Sequence, residues 1–393
     1  MKNFSNYDCY DRKEGLAFES KCVHGALGCE PLTGSVSFPI FQSATFRHKG
    51  LGESTGFDYA RLQNPTRQEL ERTMAILECG TEGFAFSSGQ AANMAVFSLL
   101  KPGDQVILSD DIYGGTYRLG ADTFHTYGIT FTYVDMTDTQ NIKDAITEHT
   151  KMLFVETPTN PMMKVINIRE VVAIAKEINA ITVVDNTFLT PYFQKPLTLG
   201  ADIVVHSGTK FLSGHNDTLA GLVVTNRDDL AEQLRLEIKT HGSCLGPQDC
   251  WLLIRGIKTL ALRMKQHNAN GIKVAEWLRT QKKVKNVNYI GFPDHPGYEV
   301  NRSQATGSGS MISFNVDSFE TVKKILSGVD LVIFAESLGG TETLITYPRT
   351  QTHESIPEEI RQKIGITDTL LRLSVGIEDA DDIIRDLDRA LNA

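Results

Sequence analysis

Through its middle the chain alternates short β-branched runs with longer amphipathic stretches, and that alternation leaves few folds open. "QVILS" from Gln105, "ITFTYV" from Ile129, "MLFVE" from Met152, "ITVVD" from Ile181 and "DIVVHS" from Asp202 read as strands. Between them lie segments such as "IREVVAIAKEIN", whose apolar spacing suits one face of a helix. Strands and helices in this order predict an α/β fold, a mainly parallel sheet with helices on both faces. "GLVVT" from Gly221 follows its predecessor too closely for a crossover helix, which predicts an antiparallel neighbour.

At 393 residues the chain exceeds one typical core. The first fifty or so residues lack clear periodicity and read as an arm, 1–50, that reaches a neighbouring subunit. An α/β domain follows over 51–244. Beyond about residue 230 the pattern turns helix-rich, then returns to strands such as "GSMISFNV" and "LLRLSV". A smaller α+β domain, 245–393, is expected there, closing on the helix "EDADDIIRDLDRALN".

A net charge of −9 argues against nucleic acid or an anionic membrane as the main partner. No run of roughly 18 apolar residues predicts a membrane span, and the polar amino terminus has no secretory apolar core. The six cysteines, Cys9, Cys22, Cys29, Cys79, Cys244 and Cys250, contain no C-x-x-C pair. They form neither a disulfide framework nor a zinc site, which fits a reduced cytoplasm. No metal is expected.

In open parallel sheets, ligands bind beyond the carboxyl ends of the strands. Polar residues fall there repeatedly: Asp110 and Asp111, Glu156 through Pro161, Asp185, and Ser207 through Lys210. The turn Ser87-Ser88-Gly89 leads into a helix near Gln90, where free N–H groups suit a phosphate; a plain helix cap by Ser88 explains the same residues. Asp185 ends an apolar strand, and it suits either a helix cap, a salt bridge or a protonated pyridine nitrogen. Lys210 either snorkels to solvent or is a desolvated, nucleophilic amine able to condense with an aldehyde. Ser207 and Thr209 beside it offer hydroxyl donors for the same phosphate as Ser88, Gly89 and Gln90. A phosphate at one end, a ring nitrogen at the other and an aldehyde between describe pyridoxal 5'-phosphate.

The stretches "FDYARLQNPTR", "AFSSGQAA", "DIYGGTYRL", "VETPTNP", "VVDNTF", "HSGTKFLSGH", "FAESLGG" and "LLRLSVGIED" occur in order along the chain. In them the sequence resembles the Cys/Met-metabolism family of pyridoxal-phosphate enzymes, the trans-sulfuration enzymes. The resemblance implies the aspartate-aminotransferase type of fold (fold type I). It also implies that Lys210 carries the cofactor covalently and shuttles protons, and that Asp185 pairs with its ring nitrogen. Tyr59 and Arg61 would complete the phosphate site from a neighbouring subunit. At least a homodimer then follows, and family habit suggests a tetramer.

Tyr113 would stack on the ring and serve leaving-group proton transfers; a lone strand-end tyrosine is otherwise a core aromatic. Asn160 would contact the cofactor hydroxyl and the substrate carboxylate; it is otherwise a turn former. Arg372, assisted by Ser337, would clamp the carboxylate as a two-pronged donor. An arginine between leucines on a β-like run is in any case out of place on a surface.

The outer residues bear on which reaction the chain performs. Gly115 stands where methionine γ-lyases usually carry cysteine, which counts against methionine. Glu336 matches family members that handle cystathionine at Cγ, where it would receive a distal ammonium; an exposed strand-end glutamate is the plainer reading. The sequence therefore points first to cystathionine γ-synthase, with O-acetylhomoserine thiolyase activity as a side reaction. Cystathionine γ- or β-lyase follows closely. "SGTK" also fits the S-x-x-K motif of serine acyl enzymes, but the partner K-T-G and S-D-N motifs do not occur. An aminotransferase shares the cofactor logic and leaves Glu336, Tyr59 and Arg61 without a purpose.

Overall fold

Seven short strands run between residues 82 and 225: β1 Glu82–Phe86, β2 Gln105–Ser109, β3 Thr130–Val134, β4 Thr150–Glu156, β5 Ile181–Asp185, β6 Ile203–Ser207 and β7 Gly221–Thr225. Each apolar run singled out in the sequence forms one of them, and β1 is an addition. The computed structural model describes residues 15–26, 30, 32–354 and 356–392. Residues 1–14 of the expected arm lie outside the described residues. The chain divides into two compact units, Met1–Leu99 with Asp202–Ala261 and Leu100–Ala201 with Leu262–Ala393.

In the first unit, β7 pairs antiparallel with β1 on one side and β6 on the other, as its short approach requires. All five residues of β7 are buried. Helix Pro65–Glu78 starts with Asn64 accepting the N–H groups of Thr66 and Arg67 and with proline in the first turn. Helix Gly89–Phe97 begins where the Ser-Ser-Gly turn predicts, with Ser88 as its cap. Glycine is required at 221, because a Cβ there would lie 2.0 Å from the Ser88 carbonyl oxygen.

In the second unit, β5, β4, β2 and β3 are neighbours in that order and all parallel. Helix Ile168–Glu177 covers them with Ile168, Val171, Val172 and Ala175, spaced to share one face. These residues pack with Ile107, Leu153, Val155 and Val184 of the strands. Asn167 caps that helix, accepting the Glu170 N–H and donating to the Glu170 carboxylate at 2.8 Å. The connections between parallel strands bring Asp111, Glu156 and Asp185 to the same, carboxyl edge.

The same unit holds a second sheet of β8 Val284–Asn288, β9 Met311–Val316, β10 Ile333–Phe334, β11 Leu344–Thr346 and β12 Leu370–Ser374. The order is β10-β11-β12-β9-β8, antiparallel except between β10 and β11. Alternate residues Ile312, Phe314, Leu371 and Leu373 join Val274 and Leu278 and, from helix Ala380–Asn392, Ile383, Leu387 and Leu391 in one core. Among the described residues no helix is long and apolar enough to cross a membrane. Leu373 is fully buried in that core. Leu373→Ala is therefore expected to cost about 2–5 kcal/mol, read from the midpoint of chemical denaturation.

Candidate active site

The candidate residues fall into two groups, one in each unit. In the first unit Ser88, Gly89 and Gln90 form the start of helix Gly89–Phe97. Ser88 Oγ accepts the Ala91 N–H at 3.1 Å, so the capping role is real, and its own proton remains to be donated. A Cβ on Gly89 would lie 2.9 Å from Ser207 Cβ and 3.1 Å from Ser207 Oγ. The missing side chain thus lets the strand-end hydroxyl of Ser207 come up against the helix start. A small anion fits such a set of N–H and O–H donors at a helix N-terminus.

Lys210 lies three residues beyond Ser207 and is half-buried; its N–H donates to the Ser207 carbonyl at 3.2 Å. Its carbonyl accepts from the Gly214 N–H and from Ser213 Oγ, which fixes the turn that carries it. Thr209 Oγ1 is engaged by Ala220, accepting its N–H at 3.0 Å and facing its carbonyl at 3.3 Å. This hydroxyl ties the turn to the start of β7. Ser207 ends β6 and opens no helix, so the acyl-enzyme geometry of S-x-x-K is not formed. Tyr59 and Arg61 are both exposed, with the Arg61 guanidinium 5.6 Å from the centre of the Tyr59 ring. Arg61 also donates to the Lys239 carbonyl.

In the second unit Arg372, on β12, is 1% exposed. Its Nη1 donates to Asn160 Oδ1 at 2.9 Å, and its Nη2 to the Ser337 carbonyl at 2.8 Å and Thr346 Oγ1 at 3.1 Å. All three acceptors are neutral, and the buried Nε has no hydrogen-bond partner among the described residues. Burial lowers the guanidinium to about 10, while the charges of Glu156 and Glu336 pull the other way. A buried cation answered by neutral oxygens, with a donor left over, has the chemistry to receive a carboxylate. Ser337 supplies its carbonyl from a left-handed backbone, φ +84°, which a non-glycine residue adopts at a cost.

Asn160 is buried and held on three sides. Its N–H donates to Glu156 Oε1 at 3.0 Å, its carbonyl faces His353 Nε2 at 2.9 Å, and its side chain accepts from Arg372. Tyr113 precedes the short helix Gly114–Arg118, and its N–H donates to the other oxygen of Glu156 at 2.9 Å. Burial raises the Tyr113 phenol, and the charges of Arg118 and Arg372 moderate the rise. Asp185, at the tip of β5, has one oxygen fixed by the N–H and hydroxyl of Thr187, at 3.0 and 2.5 Å. Glu156 stands beside it in register on β4. Glu336 is exposed, and it acts on the charges of both Arg372 and Tyr113.

The second unit thus joins Tyr113, Asn160, Ser337 and Arg372 through direct hydrogen bonds or through Glu156. Four residues here went unassigned in the sequence. Glu156 was visible only as one more strand-end acid. His353 sits in a loop without any periodic signal, and Arg118 follows the glycines of "IYGGTYR". Asp111 accepts the Thr159 hydroxyl at 2.5 Å and the Met162 N–H at 3.1 Å through one oxygen, and burial pushes its carboxyl up to about 7.

One group thus sets hydroxyl and N–H donors beside a lysine, and the other holds an acid at a strand tip and a buried guanidinium. Comparison with known proteins identifies the family. The family model for "Cys/Met metabolism PLP-dependent enzyme" matches residues 19–392. A cystathionine beta-lyase of Lactococcus lactis subsp. cremoris is 48% identical over 95% of this chain and 99% of that protein. A cystathionine gamma-synthase/O-acetylhomoserine (thiol)-lyase of Bacillus subtilis is 49% identical over 95% of this chain and 96% of that protein. The solved structure of cystathionine gamma-lyase from Lactobacillus plantarum, complexed with L-serine, superposes with a TM-score of 0.94 at 42% identity, covering 96% of this chain and 99% of that one. The fold is accordingly the fold type I of pyridoxal-phosphate enzymes, the cofactor is pyridoxal 5'-phosphate, and the chain belongs to the Cys/Met-metabolism family of PLP-dependent enzymes.

Proposed function

We propose that this trans-sulfuration enzyme is a cystathionine γ-synthase, replacing the acyloxy group at Cγ of an O-acylhomoserine with the sulfur of cysteine. In that exchange a Cγ–S bond forms, the Cγ–O bond breaks, the thiol proton is given up, and a carboxylic acid leaves. The observation that carries the reading is Arg372, a buried cation whose partners are neutral oxygens and whose Nε has a donor to spare. It calls for the α-carboxylate of an amino acid, and exposed Glu336 on the same side of the charge balance suits a second, distal ammonium.

Bound pyridoxal 5'-phosphate supplies an electron sink that makes the substrate's Cα–H acidic. Lys210 holds the cofactor and then moves protons at Cα and Cβ. Asp185, oriented by Thr187, keeps the ring nitrogen protonated. Ser88, the N–H groups of Gly89 and Gln90, and Ser207 hold the phosphate, with Thr209 joining them when its proton turns from the Ala220 carbonyl, completed by Tyr59 and Arg61 of a second copy. Their exposure suits that sharing, which makes the working enzyme at least a homodimer and, by family habit, a tetramer. Asn160 and Arg372 orient the carboxylate with help from Ser337, and the Tyr113 phenol handles the proton at the leaving group. A cytoplasmic setting suits the scattered cysteines, of which Cys79, Cys244 and Cys250 are in no disulfide among the described residues.

A second reading, cleavage of cystathionine by β- or γ-elimination, is favoured by the names of relatives such as the Lactococcus beta-lyase and the Lactobacillus gamma-lyase. One product assay separates the two. O-acetyl- or O-succinylhomoserine with cysteine is expected to give cystathionine. Rapid release of pyruvate and homocysteine from cystathionine, with no condensation, would reverse the order.

Three variants test the roles. Lys210→Ala is expected to lose the visible absorption of the lysine-bound cofactor; an unchanged spectrum would place the covalent link elsewhere. Arg372→Lys is expected to raise KM for the amino-acid substrate roughly tenfold to a hundredfold, the worth of a charge-assisted two-pronged pair, as steady-state kinetics would show. Glu336→Ala is expected to impair turnover with cysteine more than with sulfide, since only cysteine brings an ammonium; equal losses would remove that role.

A further inference from the structure

Glu156 is buried at the end of β4 and gives its two oxygens to two different loops. Oε2 accepts the Tyr113 N–H at 2.9 Å, and Oε1 accepts the Asn160 N–H at 3.0 Å. The opposite side of the Asn160 residue is held by His353, whose Nε2 lies 2.9 Å from the Asn160 carbonyl oxygen. Thr352 Oγ1 lies 2.7 Å from His353 Nδ1. A carbonyl can only accept, so Nε2 carries the hydrogen, and Nδ1 takes the proton of the Thr352 hydroxyl. Burial, then the charge of Arg372, lowers the imidazole to about 3, which keeps this ring neutral and its tautomer fixed.

The circuit closes through main chain. A Cβ on Gly114 would lie 2.3 Å from the Thr352 carbonyl oxygen, so the residue after Tyr113 rests directly on the loop that carries His353. Tyr113, Glu156, Asn160, His353 and Thr352–Gly114 thus form one ring of contacts. An acid is costly here: burial raises Glu156 well above the ordinary carboxyl range, and the charges of Asp185 and Asp111 add to the rise. Two N–H groups arriving from two loops need two acceptors on one short side chain. Glutamine offers one acceptor and one donor.

We propose that Glu156 and His353 are positioning residues that work as one clamp on Asn160, with Glu156 also setting Tyr113 against it. The aromatic face and the carboxylate-reading amide are thereby held in register. The inference rests on the roles proposed above for Tyr113 and Asn160. Neither clamp residue need touch substrate, because the polar atoms named are occupied by main-chain or Thr352 partners.

The test uses full-length, cofactor-loaded Glu156→Gln, His353→Phe, the double variant, and His353→Gln as the conservative replacement. Kinetics with cystathionine and with O-acetylhomoserine plus cysteine, visible circular dichroism of the bound cofactor and melting temperature are recorded for each. His353→Phe, which frees Asn160 alone, is expected to raise KM roughly tenfold with kcat little changed, the scale of one buried hydrogen bond. Glu156→Gln is expected to raise KM, lower kcat and weaken the dichroism, because it also frees Tyr113. The double variant is expected to resemble Glu156→Gln rather than show the product of the two losses, and His353→Gln is expected to recover much of the KM.

Multiplicative losses, or lower melting temperatures with KM, kcat and dichroism unchanged, would reduce both residues to ordinary scaffold. Asn160→Ala and Tyr113→Phe serve as controls. If they impair the enzyme while Glu156→Gln and His353→Phe do not, the clamp alone is wrong. If Asn160→Ala leaves KM unchanged, the underlying assignment falls and the clamp falls with it.

Discussion

A guanidinium with almost no water and no described carboxylate hydrogen-bonded to it is the constraint around which the second unit is arranged. Arg372 sits in the middle of β12, where the pleat would ordinarily carry another leucine, and its neighbours Leu371 and Leu373 are both fully buried. Desolvating such a cation is expensive unless its donors are met. The unit meets them with oxygen from three sources: a side-chain amide, a hydroxyl and the carbonyl of Ser337 in a left-handed backbone. Nε is left over, a buried donor with no hydrogen-bond partner among the described residues.

Electrostatics at the parallel strands run the other way. Asp111, Glu156 and Asp185 gather beyond neighbouring strands, and burial raises Glu156 and Asp111 before any neighbour's charge is counted. Each of these acids is spent on backbone or hydroxyl donors of loops that follow the strands. The arrangement uses carboxyls as rigid acceptors as much as charges. Apolar strands supply the precision, because their carboxyl-terminal residues are placed by a core that tolerates little movement.

The parts of this architecture set by periodicity were legible beforehand. Apolar runs such as "QVILS" and "ITVVD" could be little else than buried parallel strands, and the crowding between β6 and β7 dictated an antiparallel pair. Ser88, Asp185 and Lys210 were legible as candidates because polar residues at strand ends or helix starts demand a reason. Arg372 stood out for the leucines beside it. Tyr59, Arg61 and Glu336 could be singled out only by resemblance, since exposed residues carry no periodic signature. His353 and the two-handed use of Glu156 were invisible, because they depend on the path of loops between residues 157 and 162 and around 352. Main-chain N–H and carbonyl partners leave no imprint in residue identity. The short helix Phe18–His24 likewise lies in a stretch whose pattern suggested none.

The close approach of Gly114 to the Thr352 carbonyl has an evolutionary consequence. A side chain at 114 would lift the loop bearing His353, so the course of the main chain is frozen while much of the loop's surface chemistry is free to drift. Glu336, by contrast, lies exposed, and its exchange disturbs none of the buried bonds described. The buried framework is thereby separated from whatever the exposed position carries. A scaffold divided in this way can give rise to lyases and synthases that remain almost equally alike in sequence, as the 48% and 49% identities to a beta-lyase and a gamma-synthase illustrate.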